Sequence, residues 1–477
     1  MELKVHDQEI LLHKLWKSGK LFDQPMHTKS GQSVEVIFGG IENLDSGPDF
    51  KDAIIKFSGK IQKGDVEIHF DASGWYAHGH HRDPRYNRVI LHLISTAREE
   101  EKFIEREDGV QVPQLNINVE NQKAKLWKSN PSMPGKQKTS SLVVAECSLR
   151  RCETSKILAT IQSAGMRRFS EKVAQIKEDL ISHSWDQLLY KKIFEALGYS
   201  KNQIPFRKLA DTVTYDLLCS EMQRVSPDLF QQKCTALLFG AAGLLPSNQQ
   251  IATEISDSET LSYVAPLRIL WDQLSHRLEI KPMKFHEWQF FRLRPQNFPT
   301  RRMAGMVQLL TRTGWQGFLQ GFLNVVRGNA SHFERIISEL ETMLTAQSEG
   351  FWSNHYRFEH ASQSTASLKN KALIGKDRAR DIVINIVIPS LYLYACEAND
   401  GVLVNLLQEI SQRYPLAADN AVVRTMKIQL FGTPSKRTKV MTSAVQQQGL
   451  LYLNKRYCKK LNCVECLELI EKGETGR

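Results

Sequence analysis

Two carboxylates and a histidine close on one another in the stretch "SGPDFKDAIIKFSGKIQKGDVEIH", residues 46–69. Asp49 opens one strand-like run, and Glu67 and His69 end the next. Side chains alternate along a strand, so Asp65, Glu67 and His69 share one face of "GDVEIHF" while Val66, Ile68 and Phe70 share the other. If the two runs pair, Asp49 meets the strand end from which Glu67 emerges. Two convergent carboxylates, both expected to be partly exposed, give oxygen ligands to a hard divalent ion, Mg2+ or Mn2+, and leave room for water and a phosphate. His69 is then placed to orient or deprotonate the attacking water.

Histidine is concentrated in the same region, with eight of the 14 falling in the first 92 residues. His78 and His80 lie in "HGHHRD", and His92 alternates with Leu91 and Leu93, which puts it on the face that carries Glu67. A zinc hydrolase built on His78, His80 and His92 is one reading. A loop braced by Trp75, Tyr76 and one or two imidazoles is the other.

Two further groups stand far down the chain. In "FFRLRPQNFPTRR", Arg292, Arg294, Arg301 and Arg302 are interleaved with phenylalanines; guanidinium forks bind phosphates and aromatic rings stack on bases, so the segment suits nucleic acid. Carboxylate pairing within a helix–helix loop is the plainer account of the same arginines. Near the end, Cys458, Cys463 and Cys466 stand as C-x4-C-x2-C, a spacing that fits zinc or an iron–sulfur cluster, with Cys147, Cys152 or a histidine as fourth donor. That spacing resembles the cysteine loop of helix-hairpin-helix glycosylases, where the series has four members. Three free thiols packing a terminal helix pair are the alternative.

The elements that must position these groups follow from periodicity. "HDQEILLHKLW" has helical spacing; "SVEVIF", "AIIKF", "DVEIHF" and "RVILHLI" are short β-branched runs; "KFIERE" and "QLNINVE" suggest a second strand pair turned by "EDG". Residues 130–145, rich in Pro, Ser and Lys, read as a linker, and from 146 to 477 the pattern is almost wholly helical. The expected fold class is therefore α+β: an α/β domain over residues 1–129, a linker, then a larger all-helical domain. Charge divides the same way. The formal net charge is +11, made of −5 over residues 1–120 and +16 over the remainder, which fits a carboxylate-bearing front and a body that attracts polyanions. Eight cysteines in 477 residues make no disulfide framework, and the apolar run at 382–396 is broken by Asn385 and Pro389. The chain reads as cytoplasmic, without a membrane segment.

The order helix, strand, strand, strand, short helix, strand, with Pro48-Asp49 and Glu67-x-His69, resembles the PD-(D/E)xK nuclease superfamily. The resemblance implies a restriction-endonuclease-like mixed sheet with flanking helices. It places His69 where lysine is usual, Glu9 as a further acidic residue, and His78 or His80 in a segment lining the site. A neutral histidine lacks the fixed charge that lysine lends to an attacking hydroxide. A second resemblance spans nearly the whole chain: "GPDFKDA", "GDVEIHFDASGWYAHGHHRDPRYNRVILHLI", "RLRPQNFPTRR" and "INIVIPSLYLYA" are similar to a bacterial family known as domain of unknown function 2851. The first resemblance implies metal-assisted phosphodiester hydrolysis on nucleic acid, the alternative being a catalytically inactive nucleic-acid or protein binding module; the second implies a two-part bacterial protein and names no substrate. The sequence has no Walker loop, dinucleotide fingerprint or G-x-S-x-G elbow.

Overall fold

The computed structural model of the chain describes residues 5–19, 21–22, 25–43, 47–95, 103–117, 147–223, 225–253, 255, 257–291, 293–358, 372–431, 440–460, 462–463 and 465–466. The chain divides into two compact units, one formed by residues 1–157, 425–438 and 456–477, the other by 158–424 and 439–455. The C-terminal cysteines thus belong to the α/β unit, whereas the division at residue 146 had assigned them to the helical body. The expected linker, 130–145, lies outside the described residues.

The α/β unit opens with helix α1 (Val5–Ser18), then β1 (Met26–His27), β2 (Ser33–Phe38), β3 (Ile41–Glu42), β4 (Phe50–Phe57) and β5 (Lys60–His69). Helix α2 (Ser73–Ala77) follows, then β6 (Val89–Ile94), β7 (Ile104–Glu105), β8 (Gln111–Val112) and β9 (Gln114–Asn116). The main sheet runs β1-β2-β4-β5-β6-β9, antiparallel as far as β5, with β6 and β9 added in parallel and β3 paired to β4. "AIIKF", "DVEIHF" and "RVILHLI" are consecutive neighbours in it. The expected second pair is split: Ile104–Glu105 and Gln111–Val112 form a small hairpin, while "QLN" joins the main sheet.

Local chemistry accounts for the pairing. Ser58 and Gly59 both take positive φ, the backbone of a tight two-residue hairpin, and so fold β4 directly onto β5. Gly64 allows β5 to lie against the next strand's approach, since a Cβ there would stand 2.4 Å from the Arg88 carbonyl oxygen. Val66 and Ile68 point into a core with Leu12, Leu15 and Trp16 of α1 and Leu91 and Leu93 of β6. Residues 64–69 are buried throughout, because a parallel neighbour and covered faces leave β5 no wet side. The opposite face meets Trp75, Tyr86 and Val89, a smaller apolar cluster.

The other unit is helical, with one large core that includes Tyr190, Phe194, Phe239 and Phe322. Polar caps set its helix starts: Ser184 accepts from Gln187 N, Ser226 from Leu229 N and Asp257 from Thr260 N. Gly198 caps the Trp185–Leu197 helix as its position predicts, although the left-handed residue is Tyr199. The helical run Lys376–Glu397 is long and apolar enough by length and composition to span a bilayer, but 61% of its most apolar window is buried inside the protein. It contains a π-helical turn at Val383–Val387.

Candidate functional site

The β4–β5 hairpin brings Asp49 and Glu67 together by crossed hydrogen bonds. Asp49 N donates to Glu67 Oε2 at 2.9 Å, and Ile68 N donates to Asp49 Oδ2 at 2.9 Å. Each carboxylate is thereby held in place by the other's strand. Asp49 is half-buried, but Glu67 is buried at 5% exposure, contrary to the expectation that both would be open. Asp65 stays apart from the pair: it accepts from Asp52 N at 2.9 Å and faces Arg88. Asp52 lies in a bulge of β4 and takes positive φ, an irregularity common beside functional sites.

Imidazoles complete the cluster. The parallel register sets His92 of β6 directly beside Glu67, and His69 Nδ1 lies 2.8 Å from His92 Nε2. On its other side His69 Nε2 is 3.0 Å from His78 Nδ1, just beyond α2. His80 Nε2 stands 3.1 Å from Glu67 Oε1, and His69 Nε2 stands 3.7 Å from the same oxygen. His69, His78 and His80 offer ligand atoms that all lie within 4.8 Å of one another, the one such group of histidine, cysteine and acidic residues among the described residues. The trio that meets is therefore not His78, His80 and His92: His92 stands behind His69 as its hydrogen-bond partner. The packing depends on Gly74 of α2, where a Cβ would fall 2.8 Å from the His69 ring.

Burial sets the charge state of this cluster. Desolvation first, then mutual repulsion with His92, His80 and His78, brings His69 down to about 2. Desolvation likewise brings His80 to about 4 and His92 to about 3. All three are neutral at pH 7, with ring nitrogens able to bind a metal ion, and His92 Nδ1 is buried with no hydrogen-bond partner among the described residues. Three imidazoles beside a carboxylate suit a borderline ion such as Zn2+ better than Mg2+ or Mn2+, which prefer oxygen.

His13, which no sequence motif singled out, joins from α1 with Nε2 3.2 Å from Asp49 Oδ2. Burial opposes its charge, but the Asp49 hydrogen bond and the carboxylates of Asp49, Glu9 and Glu42 prevail and raise its pKa. Glu9, one helical turn earlier, thus acts on the site through His13. The signal available in the sequence was the i, i+4 spacing of Glu9 and His13 on a helix already expected to flank the sheet.

The remaining candidates are placed elsewhere. Arg301 is fully buried and donates from Nη1 to the carbonyls of Trp352 at 2.7 Å and His355 at 3.0 Å. Arg302 donates to Leu373 O, Asn297 Oδ1 and, at 2.9 Å, Tyr199 OH. Through these bonds the two arginines tie loops to the helical core, and both are buried. Arg294 is exposed, and Arg292 lies outside the described residues. Cys458, Cys463 and Cys466 share a unit with Cys147 and lie within electrostatic reach of it, and burial pushes the thiols of Cys458 and Cys466 up to about 12. The zinc or iron–sulfur reading requires these thiols to close around an ion, but among the described residues they form no group as tight as the histidines.

The fold and the cluster define a class: a two-unit α+β protein with a buried histidine–carboxylate constellation on a mixed sheet. The chain belongs to the family described as "Protein of unknown function (DUF2851)", whose model matches residues 9–419. No curated protein matches it, and neither does any solved structure.

Proposed function

We propose that the α/β unit is a metal-dependent phosphodiesterase acting on nucleic acid. The observation that carries this reading is the meeting of Asp49, Glu67 and His69 with His78, His80 and His13 at one end of the β4–β5 hairpin. The element order supports it, because a carboxylate at the start of the second core strand and another on the third is the arrangement of PD-(D/E)xK nucleases. The excess of Lys and Arg over the rest of the chain favours a polyanionic substrate.

His69, His78 and His80 would hold the ion with Glu67 alongside. When bound, Zn2+ supplies Lewis-acid polarisation of a phosphoryl oxygen and a water of lowered pKa. The chain's own residues do the rest. His92 fixes the His69 tautomer from behind, as outer-shell partners do for ligating imidazoles. The strand N–H groups hold both carboxylates against the motion that a bound cation would induce. His13, partly exposed and held above the usual histidine range by Asp49, is the imidazole placed to exchange a proton with solvent. His69 is buried and neutral, so it would serve as a ligand and is not the base that meets solvent.

The test is a panel of duplex DNA, single-stranded DNA and RNA with Mg2+, Mn2+ and Zn2+, comparing wild type with Glu67→Gln and Asp49→Asn. Cleavage by wild type that chelator abolishes and both variants lose is the expected result. Equal inertness of all three proteins on every substrate would assign the unit to binding without catalysis.

A further inference from the structure

The helical unit holds a cavity of about 550 Å³, within the range of small-molecule sites, to which the sequence motifs gave no pointer. Its walls come from the Thr154–Leu180 helix, the Trp185–Leu197 helix, the Lys376–Glu397 run and the Ala444–Arg456 helix. Three cationic side chains converge there. Arg168 Nε and Lys172 Nζ both donate to Gln448 Oε1, at 2.8 and 2.9 Å, and Lys172 also donates to Asn385 Oδ1. Arg378 lies with its guanidinium 3.5 Å over the Tyr199 ring, and its buried Nε has no hydrogen-bond partner among the described residues. Lys192 also lines the cavity but is paired with Asp179. The nearest balancing carboxylate is Asp381, 3.6 Å from Arg378.

This excess of positive charge is built in, not a consequence of loose surface lysines. Asn385 stands in the π-helical turn, and its amide donates to Asp381 O at 2.7 Å, which leaves its Oδ1 for Lys172. Turns of this kind cost helix stability and recur at functional sites. Two glycines bring the first and last helices into backbone contact next to the cations. A Cβ at Gly165 would fall 2.1 Å from Val445 O, and one at Gly449 would fall 1.9 Å from Ile161 O. The crossing therefore fixes Arg168, Lys172 and Gln448 on facing surfaces. Burial penalises the Lys172 ammonium, with the neighbouring Arg168 charge adding to the penalty, and Asp381 is held above the usual carboxylate range chiefly by burial. Such a setting is unfavourable while empty of an anion and is relieved by one.

We infer that this cavity binds a phosphate ester of nucleotide size, its phosphate on Arg168, Lys172 and Arg378 and its base or sugar toward Asp381 and the amides. Guanidinium forks match phosphate oxygens, and the carboxylate and amides offer acceptors and donors for a ring edge. The inference does not rest on the proposed phosphodiesterase site: the two lie in different units and use different residues.

Titration calorimetry on the full chain tests it, with adenosine, cytidine, guanosine and uridine 5′-monophosphates, the corresponding nucleosides, and a short oligonucleotide with and without a 5′-phosphate. At least one nucleotide is expected to bind tenfold or more tightly than its nucleoside. If the oligonucleotide binds in a phosphate-dependent way and mononucleotides do not, the source is a nucleic-acid end; the reverse pattern makes it a free nucleotide. Arg378→Gln and Arg168→Gln should each weaken binding at least tenfold. Lys172→Met, which removes the donor shared by Asn385 and Gln448, should abolish binding. Glu67→Gln should leave binding intact, so a dead phosphodiesterase does not bear on this result. Nucleosides binding as well as nucleotides, or no binding by any probe, would overturn the inference.

Discussion

Both units bury charged or titratable side chains, and they do so to opposite ends. In the α/β unit Glu67, His69, His80 and His92 are buried with one another as their nearest polar partners. In the helical unit Arg301 and Arg302 are as deeply buried, but their forks end on the carbonyls of Trp352, His355 and Leu373. The first arrangement pairs side chains that can exchange one another for a ligand, whereas the second ties the Nη groups of both arginines to the fold. Burial of a polar group therefore marks a site only where its partners are other side chains that share the same need. A backbone acceptor that completes the group marks structure instead.

The sharpest break of this comparison is chemical. Glu67→Gln keeps the shape of the side chain but removes the charge beside His69 and His80, and is expected to lower divalent-dependent cleavage on the order of 10³-fold, the effect of losing one preorganised electrostatic group. Elemental analysis of the same preparations sharpens it. The metal content of protein purified without chelator should fall in His80→Ala and stay unchanged in Cys463→Ser; a fall in Cys463→Ser would move the ion to the cysteine segment.

The next effect is on stability against pH. His69, His80 and His92 have folded pKa values of about 2, 4 and 3, and in the unfolded chain they titrate near 6.5. The unfolded state thus takes up protons first as pH drops. Stability is complete above about pH 6.5 and is lost as pH falls from there, toward about 4 for His80 and on toward about 3 and 2 for His92 and His69, by about 1.4 kcal/mol per pH unit for each group that titrates. Thermal melts of chelator-stripped protein should decline through that window; a flat profile would mean the imidazoles are not buried as neutral groups.

Arg301→Met tests the other side of the comparison. Removing the buried guanidinium leaves two carbonyls unpaired and is expected to cost about 3 kcal/mol, read by denaturant unfolding of the full chain. Smaller again is Gly74→Ala, whose added methyl meets the His69 ring and is expected to cost about 1–2 kcal/mol while weakening metal retention, since the imidazole must turn away. Arg294→Ala, at an exposed position, should stay within about 0.5 kcal/mol of wild type.

Much of the α/β unit was legible because strand alternation is a two-state code. "DVEIHF" assigned Val66 and Ile68 to the core and Glu67 and His69 to the other face, and the hairpin at Ser58-Gly59 then fixed which carboxylate Asp49 would meet. His92 followed from the same alternation. The choice of His69 over His92 as the partner of His78 and His80 was not legible. It depends on where α2 lies over the sheet, and that is set by Gly74 and Trp75 packing in three dimensions. His13 was missed for a similar reason, since a helix face says nothing of which strand end it will cover. In the helical unit "FFRLRPQNFPTRR" stayed open between a phosphate-binding segment and a loop of paired arginines, because one-dimensional composition does not distinguish an arginine facing solvent from one facing carbonyls. The cations that do converge on a cavity, Arg168, Lys172 and Arg378, come from segments some 200 residues apart.

The Lys376–Glu397 run carries a consequence for how the chain is made. Twenty-two residues with this hydropathy are a hazard before their neighbours exist, because an apolar helix without its covering layer associates with whatever apolar surface is at hand. The Gly401–Arg413 helix that packs against it is synthesised only after the run has emerged. The charged residues Arg378, Arg380 and Asp381 sit at the leading end of the run, where they interrupt it as gatekeepers against aggregation. Two of those three, Arg378 and Asp381, also line the cavity, so the features that keep the nascent segment soluble become the polar wall of the finished unit.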